Sequence, residues 1–419
     1  MQDTDVVVIG AGAAGVAAAR RLGGTPLTVR VLEARGRIGG RAWTKEVAGL
    51  PLDLGCGWLH SADRNEWAAI AAELGFDIDP TPPPWSRPAF ESSFPVADQN
   101  DFRAVWSHLH ERIHRASETA PDRPAAAFLT PGGRWNGLAN ALSSYINGVE
   151  LDGLSVRDFG RYHDTGVNWR VVKGYGALIE TCAVGLDIVL DCPVTRVDHS
   201  GTRVRIVTPR GELFVRAAII TVPPGLLARE SLRLAPSLPD KLEAAAALPL
   251  GLADKVFLHV DAPDRLPPET RLFGAIDRSA TGSYHLRPFG RPVIEGYFGG
   301  AFARELEEAG EGAFSRFAIE QLAAHLGHDI RKSLRPLAET AWSRDPCALG
   351  SYSYARIGHA EARAVLAAPV DEKLFFAGEA CSRHDFSTAH GAYRTGVVAA
   401  EQALRALTAP VDRAGAAMP

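Results

Sequence analysis

Val6-Val7-Val8-Ile9 runs directly into Gly10-Ala11-Gly12-Ala13-Ala14-Gly15, and this join of apolar run and glycine turn constrains the fold more than anything else in the chain. Four apolar residues without polar alternation predict a strand covered on both faces, as in a parallel sheet. The glycines allow a tight turn, a close approach of backbone to a pyrophosphate, and close packing of the helix that follows. Val16 to Leu22 reads as that helix and Thr28 to Leu32 as a second strand, which completes one βαβ unit. Glu33 ends the second strand about 20 residues after the turn, where a carboxylate accepts hydrogen bonds from an adenosine ribose hydroxyl. Gly10, Gly12, Gly15 and Glu33 thus predict a Rossmann-type dinucleotide seat and leave open whether the dinucleotide is NAD or FAD.

At 419 residues with 46% hydrophobic content, the chain is long and apolar enough for two domains. Patterning suggests how they interleave. Residues 77–164 change character at the Pro80 to Pro84 stretch and carry Phe102, Val105, Trp106, Leu109 and Ile113 at helical spacing. From Pro193 the pattern turns to β, with Val204 to Val207, a turn at 209–211, Leu213 to Val215 and the apolar run Ala218 to Val222. Residues 229–345 mix the strands Lys255 to Val260 and Val293 to Phe298 with a helix from Phe314 to Leu326 stopped by Gly327. The tail returns to a strand, Lys373 to Ala377, and a long helix from Ala389 to Leu407. The expected fold is α/β. A discontinuous cofactor domain takes residues 1–76, 165–228 and 346–412, an α+β substrate lobe of mixed sheet and helix takes 77–164 and 229–345, and 413–419 form a tail.

The segment after Glu33 resembles the flavin-containing amine oxidase superfamily. Its second signature is similar to Glu33-Ala34-Arg35-Gly36-Arg37-Ile38-Gly39-Gly40-Arg41, and its next block to Asp53-Leu54-Gly55-Cys56-Gly57-Trp58-Leu59-His60. Further matches follow in the family's order: Lys173 to Leu178, Val194-Thr195-Arg196-Val197, Thr221 to Leu227, Leu374 to Ala380 and Thr388 to Gly396. The resemblance therefore spans the chain and implies FAD. It places Ala14, Arg35, Gly40, Gly55, Gly57 and Trp58 along the cofactor, Arg41 at its phosphates, Val194 at the adenine, and Gly378 and Glu379 near the ribityl-pyrophosphate. Thr388 and Ala389 fall at a helix N-terminus beneath the flavin pyrimidine, which favours an anionic reduced flavin.

The same resemblance suggests catalytic positions. Lys255, in Leu252-Ala253-Asp254-Lys255-Val256, looks like the family lysine that holds a water against the flavin and assists oxygen reduction. Tyr352 fits one side of the aromatic pair that flanks the substrate nitrogen, and Thr388 occupies the other side, as in polyamine oxidases and histone lysine demethylases. Trp342 is a candidate wall of the same pocket. His60 stands where animal polyamine oxidases carry a channel histidine and suits keeping an amine unprotonated. Ser351 replaces the cysteine by which monoamine oxidases bond FAD, so the cofactor is expected to be non-covalent. The implied reaction takes a primary or secondary amine, such as a polyamine, to an imine, with O2 reduced to H2O2.

Two other readings share the superfamily: an amino-acid oxidase, which needs an arginine where Trp58-Leu59-His60 stands, and a flavin-bound module without turnover. His110-Glu111-Arg112-Ile113-His114 is a literal HExxH, but Ser117 and Ala120 break the extended zinc pattern and no third ligand is visible, so no metal is expected. A formal charge of -4 supplies no field for nucleic acid. Five cysteines without a CxxC pair read as free thiols, and no apolar run approaches the roughly 20 residues of a membrane span. The opening Met1-Gln2-Asp3 leaves no room for a leader, so the expected compartment is the cytoplasm, as a monomer or homodimer. Glu91, Asp98, Asp158 and Asp277 are carboxylates that could guide a polyamine, with solvated surface as the alternative.

Overall fold

In the computed structural model, residues 4–118 and 121–409 are described; the expected tail 413–419, the opening Met1-Gln2-Asp3 and Ala120 lie outside them. The first strand, β1 (Val6–Ile9), is the centre of a five-stranded sheet. Its neighbours are β2 (Val29–Leu32) on one side and Ala217–Ile220 on the other, with Leu374–Phe376 and Ile188–Val189 at the edges. Each pairing is parallel, and Val8 lies opposite both Val31 and Ile219. The absence of polar alternation in β1 now has its reason. Val6 and Val8 pack into one core with helix α1 (Ala13–Gly23) and the C-terminal helix Ala389–Thr408, while Val7 and Ile9 pack into a second core on the opposite face. The two helices touch closely, since a Cβ on Gly396 would stand 2.2 Å from the Ala14 carbonyl oxygen.

That second core is closed by a four-stranded sheet, in which Arg233–Ala235 pairs in parallel with Arg196–Asp198 beside the hairpin Val204–Thr208 and Gly211–Val215. Helix Pro239–Ala247 also packs there, so the α/β lobe continues past residue 228.

A third sheet is antiparallel, in the order Thr270–Phe273, Ser283–Leu286, Val293–Gly299, Ala253–Val260, Leu334–Glu339. Its period-2 alternation separates two faces. Leu258, Leu272, Leu286, Ile294 and Phe298 face the helices Gly300–Glu308 and Ala313–Leu326, forming the lobe's core with Phe314 and Leu322. The odd-numbered residues, among them Arg271, Ser283, His285, Glu295, Tyr297 and Lys255, share the other face. Helix Val96–Ser117 buries Phe102, Leu109 and Ile113 as its spacing predicts, but leaves Val105 exposed at the margin of the stripe. No helix among the described residues is long and apolar enough to cross a membrane.

Candidate active site

The glycine turn divides its work among three residues. Gly10 has φ +105°, a conformation that a side chain would strain. Gly12 caps α1 without any side chain, and a Cβ there would meet nothing nearer than the Gly39 carbonyl oxygen at 3.8 Å. Gly15 lies behind the turn, where a Cβ would stand 1.9 Å from the Gly10 carbonyl oxygen. Helix α1 has no acidic residue in its first turn, so its N-terminal N–H groups and positive dipole end face the space above Gly12 unopposed.

That space is one end of a cavity of about 780 Å³. The cavity gathers nearly every residue expected to hold the cofactor: Gly10, Gly12 and Ala14 at the turn; Glu33, Arg35, Gly40 and Arg41 beyond β2; Gly55, Gly57 and Trp58 in the next block. Val194, Gly378, Glu379, Thr388 and Ala389 complete the wall. Gly15 alone stays out of it, because its part is to let the helix approach the turn. Gly55 serves a similar close approach, with the Arg41 carbonyl oxygen 1.8 Å from where its Cβ would be. Val194 sits in the loop before strand Arg196–Asp198 and not within it.

The donors and acceptors along this wall fit FAD. Glu33, buried at the end of β2, accepts from the backbone N–H groups of Ala11 (2.7 Å) and Arg35 (2.9 Å), which fixes its carboxylate with lone pairs left for a ribose hydroxyl. Arg35 is turned onto Asp345 at 2.7 Å. Arg41 donates from Nη1 to the Ser351 carbonyl and to Glu379, both at 2.8 Å, and retains its other donors for phosphate. Burial alone would raise the Glu379 pKa, but the Arg41 guanidinium and the Ser353 hydroxyl hold its carboxyl below the usual range. Thr388 caps the C-terminal helix by accepting from the Gly391 N–H at 3.0 Å.

Lys255, also on the cavity wall, is fixed from two sides. Its Nζ donates to the Asp53 carbonyl at 2.9 Å and pairs with Glu295 at 2.9 Å, leaving one N–H for the cavity. Asp53 in turn accepts from the Tyr175 N–H at 3.0 Å, so the Lys173 to Leu178 motif supports the lysine's anchor. Burial would raise the Glu295 pKa, yet the adjacent Lys255 ammonium keeps it lowered.

Tyr352 and Thr388 both line the cavity, and the Tyr352 hydroxyl donates to the Tyr145 carbonyl. Burial pushes the Tyr352 phenol pKa up, so it stays protonated. Trp342 reaches the cavity wall from a core position: its indole N–H donates to the Leu54 carbonyl at 3.3 Å, and its ring meets Trp43 edge-on. His60 also lines the cavity. Its Nδ1 lies 2.6 Å from Asn168 Oδ1, and because Asn168 donates its own Nδ2 to the Gly166 carbonyl, Nδ1 must be the protonated nitrogen and Nε2 the free base. Burial lowers the His60 pKa.

Ser351 Oγ is engaged with both backbone groups of Ala253 at 2.8 Å. Cys56, not singled out from sequence, lines the cavity too, and burial followed by the Asp53 charge pushes its thiol up to about 12. The four carboxylates considered as polyamine guides lie elsewhere. Asp158 is fully buried in a bidentate pair with Arg363, Asp98 binds Arg134 and Asp277 binds Arg278 at the surface, and Glu91 is exposed. His110 packs edge-on against Trp106 and Phe159 while His114 points outward, which separates the two histidines of the HExxH. Sequence reasoning missed Tyr145, Tyr297, Glu295 and Arg271; their odd numbering on paired strands, or a helix facing them, was the only available signal.

Comparison with known proteins identifies the family and the fold. Residues 13–140 and 138–404 match the family described as flavin containing amine oxidoreductase. The chain is similar to polyamine oxidase 2 of Arabidopsis thaliana, 32% identical over 94% of this chain and 87% of the relative, and to polyamine oxidase 4 of Oryza sativa subsp. japonica, 30% identical over 95% and 88%. Among solved structures, putrescine oxidase bound to putrescine superposes with a TM-score of 0.76 at 19% identity, covering 96% of this chain and 99% of that one. Cyclohexylamine oxidase from Brevibacterium oxydans IH-35A gives 0.75 at 20% identity, covering 97% and 99%.

Proposed function

The chain belongs to the flavin containing amine oxidoreductase family, is a flavin-dependent amine oxidase and holds FAD, and from that premise we propose that it takes a primary or secondary amine to an imine, with O2 as acceptor and H2O2 as product. The observation that carries this reading is the joining, in one cavity, of the glycine turn, Glu33 and Arg41 with the Lys255, Tyr352 and Thr388 cluster. FAD, when bound, supplies the two-electron sink. The chain's own residues orient, desolvate and manage protons. The Tyr352 ring, fixed through its hydroxyl, forms one side of the slot for the substrate nitrogen, and the small Thr388 leaves the other side open to a substituted amine. Neutral His60 keeps Nε2 available as a base toward the substrate ammonium. Lys255, with one N–H left over, would hold a water on the cavity wall and supply a proton donor when FAD is bound. Water then hydrolyses the imine to a carbonyl compound and the departing amine. The names of the relatives support including polyamines in the substrate class.

FAD is held without a covalent bond in this reading. Ser351 offers no thiol, and the Cys56 thiol, with a pKa of about 12, stays protonated and unreactive. Acid precipitation should leave yellow FAD in the protein-free filtrate; flavin retained on the chain would overturn this point. The reaction itself is tested by peroxide release over a panel of monoamines, polyamines and amino acids. Turnover with one amine class at one peroxide per amine supports it, and an enzyme that stays fully oxidised under anaerobic exposure to every member would instead be a flavin-bound module.

A further inference from the structure

Arg271 stands apart from the other part-buried arginines of the cavity wall, where Arg35 binds Asp345 and Arg41 binds Glu379. Arg363 is likewise paired with Asp158, and Arg170 with Asp79 and Glu269. Such pairing is the rule, because an ionised group removed from water is costly unless matched. Arg271 lies on the cavity-facing side of strand Thr270–Phe273, part-buried, and among the described residues it has no carboxylate partner. Its Nε donates to Ser283 Oγ at 2.9 Å and its guanidinium stacks 4.1 Å over Phe273, which holds the group in place without neutralising it. The polar neighbours with electrostatic influence on it are the phenols of Tyr145 and Tyr297. Burial lowers its pKa to about 10, so the charge persists at neutral pH. The outer fork of the guanidinium is therefore a fixed, desolvated cation aimed at ligand space.

The surrounding wall has the same sign. Exposed Arg87 and Arg103 line the cavity as well, whereas the carboxylates that line it are Glu33 and Glu379, both committed at the cofactor end, and exposed Asp164. A substrate with a second ammonium would meet uncompensated positive charge; one with a carboxylate would complete an arginine fork. The register of the sheet then sets a spacing. Ser283, to which the guanidinium is tethered, pairs with Tyr297, and Tyr297 pairs with Lys255, so two strand steps, about 10 Å at 4.8 Å each, separate the Arg271 anchor from the lysine strand. An α-amino acid is too short to bridge that distance.

We propose that Arg271 binds a carboxylate at the far end of the substrate, so that the amine oxidised here carries an anionic group several bonds from the reacting C–N bond. This rests on the amine oxidase reading and on Lys255 lying toward the flavin, and it sets aside the polyamines that the relatives' names bring into that reading. The test measures anaerobic flavin reduction in the holoenzyme with three matched series over a range of chain lengths: straight-chain ω-amino acids, n-alkylamines and α,ω-diamines. At the best spacer length, the second-order rate constant for flavin reduction by the ω-amino acid should exceed that for the alkylamine by roughly 10 to 100-fold, the value of one charge-assisted pair, with the diamine lowest. In Arg271→Met this preference should collapse toward unity, mainly through the substrate Kd and less through the limiting rate of reduction, and Arg271→Lys should restore part of it. Diamines or alkylamines reducing the flavin faster than ω-amino acids at every length would overturn the proposal while leaving the amine oxidase reading intact. No reduction by any amine would overturn both. If the Met variant fails to fold, the wild-type ratio decides alone.

Discussion

Lys255 and His60 show how single side chains are prepared before any substrate arrives. The lysine ammonium is held by one carbonyl and one carboxylate, so Lys255→Met removes a positioned donor and also leaves Glu295 as an unpaired buried charge. Flavin reoxidation by oxygen should slow about 100-fold or more in that variant, the lower range for loss of a positioned proton donor, while anaerobic reduction by amine changes less. Stopped-flow reoxidation checks this, and an unchanged rate would remove Lys255 from the oxidative half-reaction. For His60 the sign is set by burial, which lowers its pKa and keeps the imidazole neutral to lower pH than an ordinary histidine. Activity that depends on Nε2 as base should fall only on the acid side, below the usual histidine range. His60→Ala should abolish that acid limb in a pH profile of kcat/KM; an identical profile in the variant would assign His60 to packing alone.

At the scale of elements, the βαβ unit was legible because everything it needs is local. Apolar run, glycines and Glu33 lie within the first 33 residues, and each does what short-range rules require. Its helix starts earlier than expected, at Ala13 in place of Val16, since Gly12 caps without a side-chain hydrogen bond and leaves no polar mark. The substrate sheet was less legible. Two of its five strands stood out, whereas Thr270–Phe273 is four residues between Pro268 and Gly274, too short for a pattern of its own. Arg271 acquires meaning only from a strand order that brings it toward Lys255 through two intervening strands, and register of that kind is not written in any one segment. The three glycines make the contrast testable. Gly15→Ala places a Cβ 1.9 Å from the Gly10 oxygen and should prevent the turn from closing, giving little soluble protein. Gly12→Ala meets nothing in the protein closer than 3.8 Å, so the apoprotein should keep its stability to within about 0.5 kcal/mol, as expected away from special contacts, while flavin content falls. Equal flavin content in Gly12→Ala and wild type would remove Gly12 from the cofactor seat.

Across the whole molecule, a largely buried charge cluster links the substrate sheet to the rest of the cavity wall. Glu269 accepts from Arg170 at 2.9 Å and lies 2.9 Å from His285 Nε2, while Arg170 also binds Asp79 and is held between the Trp58 and Phe289 rings. One carboxylate thus ties the sheet edge to the loop that carries Trp58 and His60. Burial would raise the Glu269 pKa, but His285 and Arg170 bring it down to about 2 from an ordinary 4.5. A carboxylate depressed in the folded state adds stability that is fully present above its unfolded pKa and is lost as pH falls through the folded value. The window is therefore pH 4.5 down to 2, and after solvent screening the shift corresponds to about 2 kcal/mol, with roughly two fifths of it gone by pH 3.5. Glu269→Gln should be less stable than wild type at pH 7 by about that amount, and the gap should narrow steadily below pH 4.5, because only the wild type has this proton to take up. Urea midpoints at pH 7, 4.5 and 3.5, followed by tryptophan fluorescence on FAD-loaded protein, measure the gap directly. A gap of constant size across the three would mean that the carboxylate acts through shape and hydrogen bonding, and that acid sensitivity originates in another part of the molecule.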